Sequence, residues 1–420
     1  MNTPAAHDTP PPKPPPAPPL WQIVAARDYE VPADSQPATL QRRWRSLGRL
    51  LLGTDDADPA QAEADLRALP QVRLANLAPS IDWAPAARAL DAQESLDADA
   101  HPPVRLFIGQ PYCDHPAILT HWAHARDAVV LAPPDTEQIL CADRRWLDEL
   151  APGTGRPWVL PELERCFLRH ANGLDLVRGF LARALSGALG PGMIGCDSWA
   201  LAFIERISPL PGTATLTLQA FDGLALTRYL MHPDRGQVRF LSARSGEPLM
   251  PEDAGDSGDD RHGAETACPE LRQLAAHCRG NPGLAWYYWR QRLRAAPERE
   301  QQAQAGEAQH DSPQRADGER LAAADEVVWV APGIETPTLP AESGEDVAFL
   351  LHALLLHRGL ESAVLGAVLP IPEGRLHSHL LRLQALDLLV REGTRWQVAP
   401  LAYHTVREFL RSRSYLTDSF

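Results

Sequence analysis

Lysine is almost missing from this sequence of 420 residues. The single lysine is Lys13, and every other basic side chain apart from histidine is an arginine. Lys13 lies in a proline-rich opening, residues 1–20, whose composition predicts a disordered tail with polyproline II character. Chemistry that needs a lysine ammonium group within a folded domain is therefore excluded.

Long apolar runs, paired cysteines and an excess of positive charge are also lacking. No apolar run reaches the roughly 18–20 residues of a membrane-spanning helix, and the start has no basic stretch followed by an apolar one. We therefore expect a cytoplasmic protein without membrane insertion. The six cysteines contain no CxxC pair, which predicts reduced thiols and no metal site. The formal net charge of −14 argues against a surface that coats nucleic acid.

Strands alternate with helices over residues 101–245, which is the pattern of βαβ units around a parallel sheet. Strands are predicted at VRLFIG, DAVVLAPP, PWVLPELE, GMIGCDSW and TATLTLQAF, and long helices at TEQILCADRRWLDEL and FLRHANGLDLVRGFLARAL. Residues 21–100, which precede the sheet, have helical periodicity, with an apolar stripe at Leu40, Trp44, Leu47 and Leu51. The predicted fold class is α/β, with a helical N-terminal region.

Three segments separate this α/β region from the end of the chain. Residues 246–268 are acidic and rich in glycine, which predicts a mobile insertion. Residues 269–296 predict two helices broken at the sequence GNPG, residues 280–283. Residues 297–325 are polar and poor in apolar side chains, and we interpret them as a linker.

A compact module is predicted over residues 340–420, called the C-terminal module below. Its sequence indicates three helices, then two strands joined at Glu392 and Gly393, then a last helix. Three helices followed by a hairpin are typical of a winged helix, an elaboration of the helix-turn-helix. This order is the most specific pattern in the chain.

The loop after the first predicted strand, residues 109–116, stands where a nucleotide-binding P-loop would stand. In the pattern GxxxxGK[ST], glycines let the backbone approach, the lysine contacts phosphates and the hydroxyl binds Mg²⁺. Gly109 matches the first glycine, whereas Asp114, His115 and Pro116 replace the second glycine, the lysine and the hydroxyl residue. An aspartate repels phosphate and a proline has no amide proton. The pattern by itself favours an ordinary strand-to-helix loop.

The order of landmarks nevertheless resembles that of AAA+ and STAND-type P-loop ATPases, including the origin-recognition-like group. PWVLPELE, with Glu162 and Glu164, stands at the position of an acidic Walker B strand, although Pro161 interrupts it. MIGCDSW, with Asp197, stands at the sensor position. GNPGLAW resembles the lid motif of STAND ATPases, whose proline packs near the adenine; here that residue is Pro282. The resemblance covers about residues 100–292.

This resemblance implies a degenerate P-loop-NTPase-like sheet with a helical lid and a degenerate nucleotide site. Without a lysine in the loop we expect no hydrolysis and no required cofactor, although residual ATP or ADP binding stays open. We predict no catalytic residues. The candidate nucleotide-site residues are Gly109, Asp114, His115, Glu162, Glu164, Asp197, Asn281 and Pro282.

Aromatic residues cluster in the predicted lid, at Trp286, Tyr287, Tyr288 and Trp289. Such a cluster suits stacking on a base, but beside Leu284 and Leu293 on one helix it is more typical of core packing.

The C-terminal module offers basic side chains that suit either DNA or a protein partner. Its residues 342–420 contain eight arginines and nine acidic residues, a formal balance of −1, which is unlike the basic balance of a strong DNA binder. The candidate contact residues on the third helix and the wing are Arg375, His377, His379, Arg382, Arg391 and Arg395.

Two functions from different classes fit these observations. The first is a non-catalytic AAA+/STAND-like scaffold or sensor, whose winged helix docks a protein partner. The second is a regulator whose winged helix binds DNA, and a working ATPase is the least favoured reading.

Overall fold

The computed structural model describes residues 19–32, 66–96, 104–150, 156–210, 212–230, 238–249, 267–295 and 326–420. The N-terminal tail to residue 18, the predicted stripe at residues 40–51, most of the 246–268 insertion and the whole 297–325 linker lie outside these residues. Of the helices described, none is long and apolar enough to cross a membrane.

The strands and helices are numbered separately in chain order. The strands are β1 (Ile23–Ala25), β2 (Arg67–Ala68), β3 (Val104–Gly109), β4 (Val129–Val130), β5 (Trp158–Leu160), β6 (Gly192–Asp197), β7 (Ala214–Leu218), β8 (Val238–Ser242), β9 (Leu293–Ala295), β10 (Glu326–Val330), β11 (Leu360–Glu361), β12 (Leu389–Glu392) and β13 (Arg395–Val398). The helices are α1 (Gln71–Leu77), α2 (Ala84–Leu96), α3 (His115–Arg126), α4 (Thr136–Cys141), α5 (Arg145–Glu149), α6 (Asp175–Leu185), α7 (Ser198–Ile207), α8 (Gly223–Leu230), α9 (Pro269–His277), α10 (Pro282–Arg292), α11 (Glu345–Leu356), α12 (Ser362–Val368), α13 (Glu373–Ala385) and α14 (Tyr403–Ser412).

The central sheet has the strand order β1-β7-β3-β6-β5-β4 among the described residues. β3 to β7 pair in parallel, as the alternation of strands and helices predicts, and β1 adds an antiparallel edge. β3 lies in the middle, and its run VRLFIG is almost entirely buried, as expected of a strand covered on both faces. The fold is mixed α/β with a mainly parallel sheet, which is compatible with a P-loop-like arrangement.

The N-terminal region is not wholly helical, contrary to our expectation for residues 21–100. Ile23 and Val24 are β-branched and extend the sheet by pairing with β7. Trp21 anchors this strand, because its ring packs edge-on against Trp83 and Phe221. Helices α1 and α2 follow at residues 71–96.

The two long helices predicted between the strands are shorter in the structure. The first is divided into α4 and α5, because Ala142 adopts a left-handed conformation (φ 52°) that ends α4. The second is reduced to α6, since the chain turns back before it and the amide of Leu168 donates to the carbonyl of Gly173 at 3.0 Å.

A second sheet, absent from the sequence-based prediction, has the order β2-β9-β10-β8. β10 and β8 run parallel, and β9 follows directly on α10, where we expected the helix to continue to residue 296. Helices α9 and α10 lie on either side of the break at GNPG, where the sequence predicts two helices.

The C-terminal module contains helices α11 to α14 and a three-stranded antiparallel sheet with the order β11-β13-β12. It packs on the rest of the chain through one continuous hydrophobic core that extends from Trp21 to Leu410. Polar contacts reinforce this packing: the Trp199 indole donates to the Tyr403 hydroxyl at 3.0 Å, and Ser198 donates to the Asp418 carboxylate at 2.7 Å. The module therefore sits on the carboxyl edge of the central sheet, the edge that carries the candidate site.

Candidate functional site

The candidate nucleotide site lies where the carboxyl ends of β3 and β6 meet. Gly109 ends β3 and is the register partner of Asp197, which ends β6. The chain leaves β3 towards β4 on one side and leaves β6 towards β7 on the other. A crevice at such a divergence is the usual ligand position in open α/β sheets. The sequence pattern and the sheet topology thus point to the same crevice, at the carboxyl ends of β3 and β6, as the place for a ligand.

The loop after β3, residues 110–114, is tightly folded. Tyr112 and Asp114 both have positive φ angles (69° and 37°), in the left-handed region that non-glycine residues seldom adopt. Helix α3 starts without a side-chain cap, and Pro116 in its first turn has no amide proton. The loop therefore offers fewer amide donors to an anion than a glycine-rich P-loop does.

The side chain of His115 fills the space in front of β3. It is 1% exposed, and its ring lies so close to Gly109 that a Cβ on that residue would overlap it. Its Nε2 lies 3.1 Å from Oε1 of Glu164. The residue at the lysine position of the P-loop pattern thus turns inward and pairs with a carboxylate instead of facing a ligand.

Glu164 links three parts of this crevice and is fully buried. Besides His115, its other carboxylate oxygen accepts the backbone amide of Asp197 at 3.1 Å. Burial by itself raises the pKa of Glu164, but His115 and then Arg358 outweigh it and hold the pKa below its usual value. Glu164 is therefore a buried carboxylate whose contacts are all made by residues of the same chain.

Asp197 has a different role at the end of β6. Its Oδ1 caps α7 by accepting the amide of Trp199 at 2.9 Å. Burial, with the charge of Glu164 beside it, raises the pKa of Asp197 well above its usual range. The sensor-position aspartate thus serves as a helix cap inside the core.

Arg358, which the sequence analysis did not single out, reaches this cluster from the end of α11. Its guanidinium lies 3.0 Å from Asp114 and 3.5 Å from Glu162. No motif marks this arginine; it follows a helix and precedes Gly359, and both residues have positive φ angles. The C-terminal module thereby supplies the cation that the loop itself lacks.

Two more contacts hold the C-terminal module over the loop. The Tyr112 hydroxyl donates to the carbonyl of Val398 at 2.8 Å. Nδ1 of His357 lies 3.3 Å from the carbonyl of Glu164, and burial lowers the pKa of His357 to about 4. The C-terminal module therefore covers both the loop after β3 and the segment around Glu164.

The GNPG sequence fastens the lid to the loop. The Asn281 side chain caps α10 by accepting the amide of Leu284 at 2.9 Å and donates to the carbonyl of Pro111 at 2.8 Å. The Cys113 thiol donates to the same side chain at 3.2 Å. Pro282 is buried in the first turn of α10. Asn281 thus joins lid and loop through its own hydrogen bonds.

The aromatic residues of α10 divide into two groups. Tyr288 and Trp289 are core residues, and the Tyr288 hydroxyl donates to the carbonyl of Leu401 at 2.8 Å. Trp286 and Tyr287 are half-buried and line a cavity of about 350 Å³ between the loop, the lid and the C-terminal module. The core interpretation suits the first group. In the second group, Trp286 already donates to the carbonyl of Pro79 at 2.6 Å and has Arg290 over its ring, and Tyr287 also borders the cavity.

The candidate contact residues of the C-terminal module are mostly engaged within it. Arg375 pairs with Asp346 at 2.8 Å, and Arg382 pairs with Glu342 at 2.6 Å. His379 lies 3.8 Å from Asp346, Arg391 donates to the carbonyl of Gly393 at 3.1 Å, Arg395 donates to the carbonyl of His357 at 3.2 Å, and His377 is exposed.

Comparison with known proteins adds little to this geometry. No protein-family model and no curated protein matches the chain. A Walker-type ATPase of Pyrococcus abyssi aligns with it at a TM-score of 0.29 and 13% identity, over 78% of this chain and 96% of that one. At that TM-score the match does not establish a shared fold or activity.

Proposed function

We propose that this chain is a non-catalytic scaffold or sensor of the AAA+/STAND type. In this proposal the α/β body keeps the shape of a P-loop domain without its phosphate grip, and the C-terminal module is a winged helix that docks a protein partner. The observation that carries the proposal is the seating of His115, the residue at the lysine position of the P-loop pattern, against Gly109 and Glu164 at the carboxyl end of β3.

Charge supports the same conclusion. The groups around the loop include the carboxylates of Asp114, Glu162 and Glu164; Arg358 pairs with the first two, and Arg165 also pairs with Glu162. A triphosphate brought to this crevice would face carboxylates without a lysine, because Lys13 lies outside the folded segments that we predict. Nucleotide binding is therefore opposed by both space and electrostatics.

The winged-helix part of the proposal rests on the order of elements. α11, β11, α12, α13 and the hairpin β12–β13 follow one another in the order of that fold, and β11 pairs beside β13. We favour a protein partner over DNA, because Arg375 and Arg382 pair with carboxylates of the same module, and DNA would have to displace those carboxylates.

Calorimetric titration of the full chain with ATP and Mg²⁺, with a phosphate-release assay, tests the proposal. We expect no heat of binding at submillimolar ATP and no phosphate release. Micromolar affinity with turnover would overturn the non-catalytic part. Binding to duplex DNA at low salt that weakens steeply with added salt would overturn the choice of a protein partner.

A further inference from the structure

Two neighbouring cavities form a groove between the lid helix α10 and the C-terminal module. The first, of about 350 Å³, reaches down to Tyr112, Asp114 and Arg358. The second, of about 590 Å³, lies between α10, the hairpin β12–β13 and the segment at residues 335–337. They share Tyr287, Val390 and Pro400 as lining residues, so they lie side by side.

The floor of this groove is apolar and aromatic. It is built by half-buried or buried side chains of α10 and of the C-terminal module: Trp286, Tyr287, Leu389, Val390, Pro400 and Leu401. Aromatic faces of this kind attract a guanidinium or ammonium group as well as apolar side chains.

The rim of the groove is acidic. Glu335 and Asp387 border the second cavity, and Glu392 borders the first. All three are exposed, and none forms an ion pair with another described residue. Among the described residues, Arg358 is the only basic side chain lining either cavity, and it is already paired with Asp114. A phosphate-bearing ligand is thus repelled along the groove, whereas a cationic one is attracted.

We propose that this groove binds an extended basic segment of a protein partner, with an arginine or lysine side chain inserted beside Tyr287 into the deeper cavity. The proposal rests on the function proposed above and names the chemistry of its partner. The length of the groove favours a peptide over a small cation, because Glu392 and Asp387 border different cavities and suit successive basic side chains. Bound there, the segment would touch the loop, the lid and the C-terminal module together.

The test uses the full chain and a fluorescein-labelled peptide of about eight residues that alternates leucine with arginine. Binding is followed by fluorescence anisotropy. We expect saturable binding that weakens at least about tenfold in the double variant Asp387→Asn/Glu392→Gln, since both rim charges are removed. Asparagine tolerates the left-handed backbone that Asp387 adopts (φ 55°), so this variant should stay folded.

The matched control is Glu137→Gln/Glu149→Gln, which removes two exposed charges on α4 and α5, outside the groove. We expect its affinity to equal that of the wild type. Equal weakening in both double variants would mean unspecific attraction to an acidic protein and would overturn the groove assignment, as would no binding at all.

Spermine and the glutamate version of the peptide complete the experiment. Competition by spermine at the same concentration as the unlabelled arginine peptide would assign the groove to small cations and overturn the peptide proposal. Binding of the glutamate peptide would overturn its charge preference. None of these outcomes bears on ATP binding. The groove proposal can therefore be wrong while the non-catalytic function is right, and the non-catalytic function can be wrong while the groove proposal is right.

Discussion

The imidazole of His115 lies against the α-carbon of Gly109, in space that the β-carbon of any other residue at position 109 would need. Its far nitrogen is 3.1 Å from the buried carboxylate of Glu164. The glycine that would let a backbone approach a phosphate thus lets a side chain of the same chain approach instead. In the proposed function, this contact takes the place of the phosphate contact that a P-loop would make.

The first prediction concerns Asn281, which caps α10 and also holds the loop. Asn281→Ala should lower the free energy of unfolding by about 2–3 kcal/mol, because it removes the cap and leaves the buried carbonyl of Pro111 without its donor. Asp135→Ala removes the exposed cap of α4 and should cost only about 1 kcal/mol. Urea denaturation measures both; equal costs would contradict a bridging role for Asn281.

The close approach of the lid to the loop gives a second prediction. A Cβ at Gly283 would overlap the backbone oxygen of Tyr112. A backbone atom cannot move aside as the end of a flexible side chain can. Gly283→Ala should therefore cost more than about 2 kcal/mol of stability. Gly374→Ala, in the exposed α13 with open space around it, should instead be neutral or stabilise by up to about 1 kcal/mol. Thermal unfolding of the two alanine variants checks the contrast, and similar melting temperatures would contradict the packing.

Arg358 provides a third prediction about the interface of the C-terminal module. Arg358→Gln removes the cation that pairs with Asp114, whereas Glu162 keeps Arg165, and it should cost about 1–2 kcal/mol, less than a fully buried pair, because the side chain is 30% exposed. Arg391→Gln, on the exposed wing, should change stability by less than about 0.5 kcal/mol. If denaturant unfolding gives the two variants the same stability, the bridge has no structural role.

The fourth prediction is that two buried histidines each make a destabilising contribution in mild acid. Burial lowers the pKa of His352 and of His357 from 6.5 to about 4. Between pH 6.5 and pH 4 these histidines bind protons in the unfolded chain but not in the folded chain. Their contribution to the free energy of unfolding is therefore fully present above pH 6.5 and is lost as the pH falls towards 4. From pH 7 to pH 5 each histidine should cost about 2 kcal/mol.

The variant His352→Gln/His357→Gln isolates this effect, because glutamine does not titrate. Its unfolding free energy should fall less than that of the wild type between pH 7 and pH 5. Replacement of the exposed His124 by glutamine should leave the wild-type slope unchanged. A wild-type slope in the double variant would assign the acid sensitivity to other groups.

Much of the framework could be predicted from the sequence. The five parallel strands, the lid break at GNPG and the helices and hairpin of the C-terminal module all follow from local periodicity and turn residues. The second sheet was missed, because β9 and β10 are separated by the polar segment that we interpreted as a linker, and β9 continues directly from a helix. Such pairing depends on tertiary contacts that local patterns do not encode.

The candidate site was predicted in part. Gly109, His115, Glu164 and Asp197 meet at the carboxyl edge of the sheet, as their positions after successive strands indicated. Arg358 was missed because it lies 244 residues from its partner Asp114. The inward turn of His115 also could not be foreseen, since it depends on the buried acceptor that Glu164 presents.

A double-mutant cycle of Gly109→Ala and His115→Gly tests the central claim, that His115 closes the loop, most directly. Each variant is compared by its free energy of unfolding. Gly109→Ala should be costly beside His115 and much less costly in the His115→Gly background, because both the overlapping ring and the β-carbon of His115 are gone; we predict a coupling of about 1–3 kcal/mol. Costs that add to within about 0.5 kcal/mol would show that the ring does not lie against Gly109 and would contradict the account.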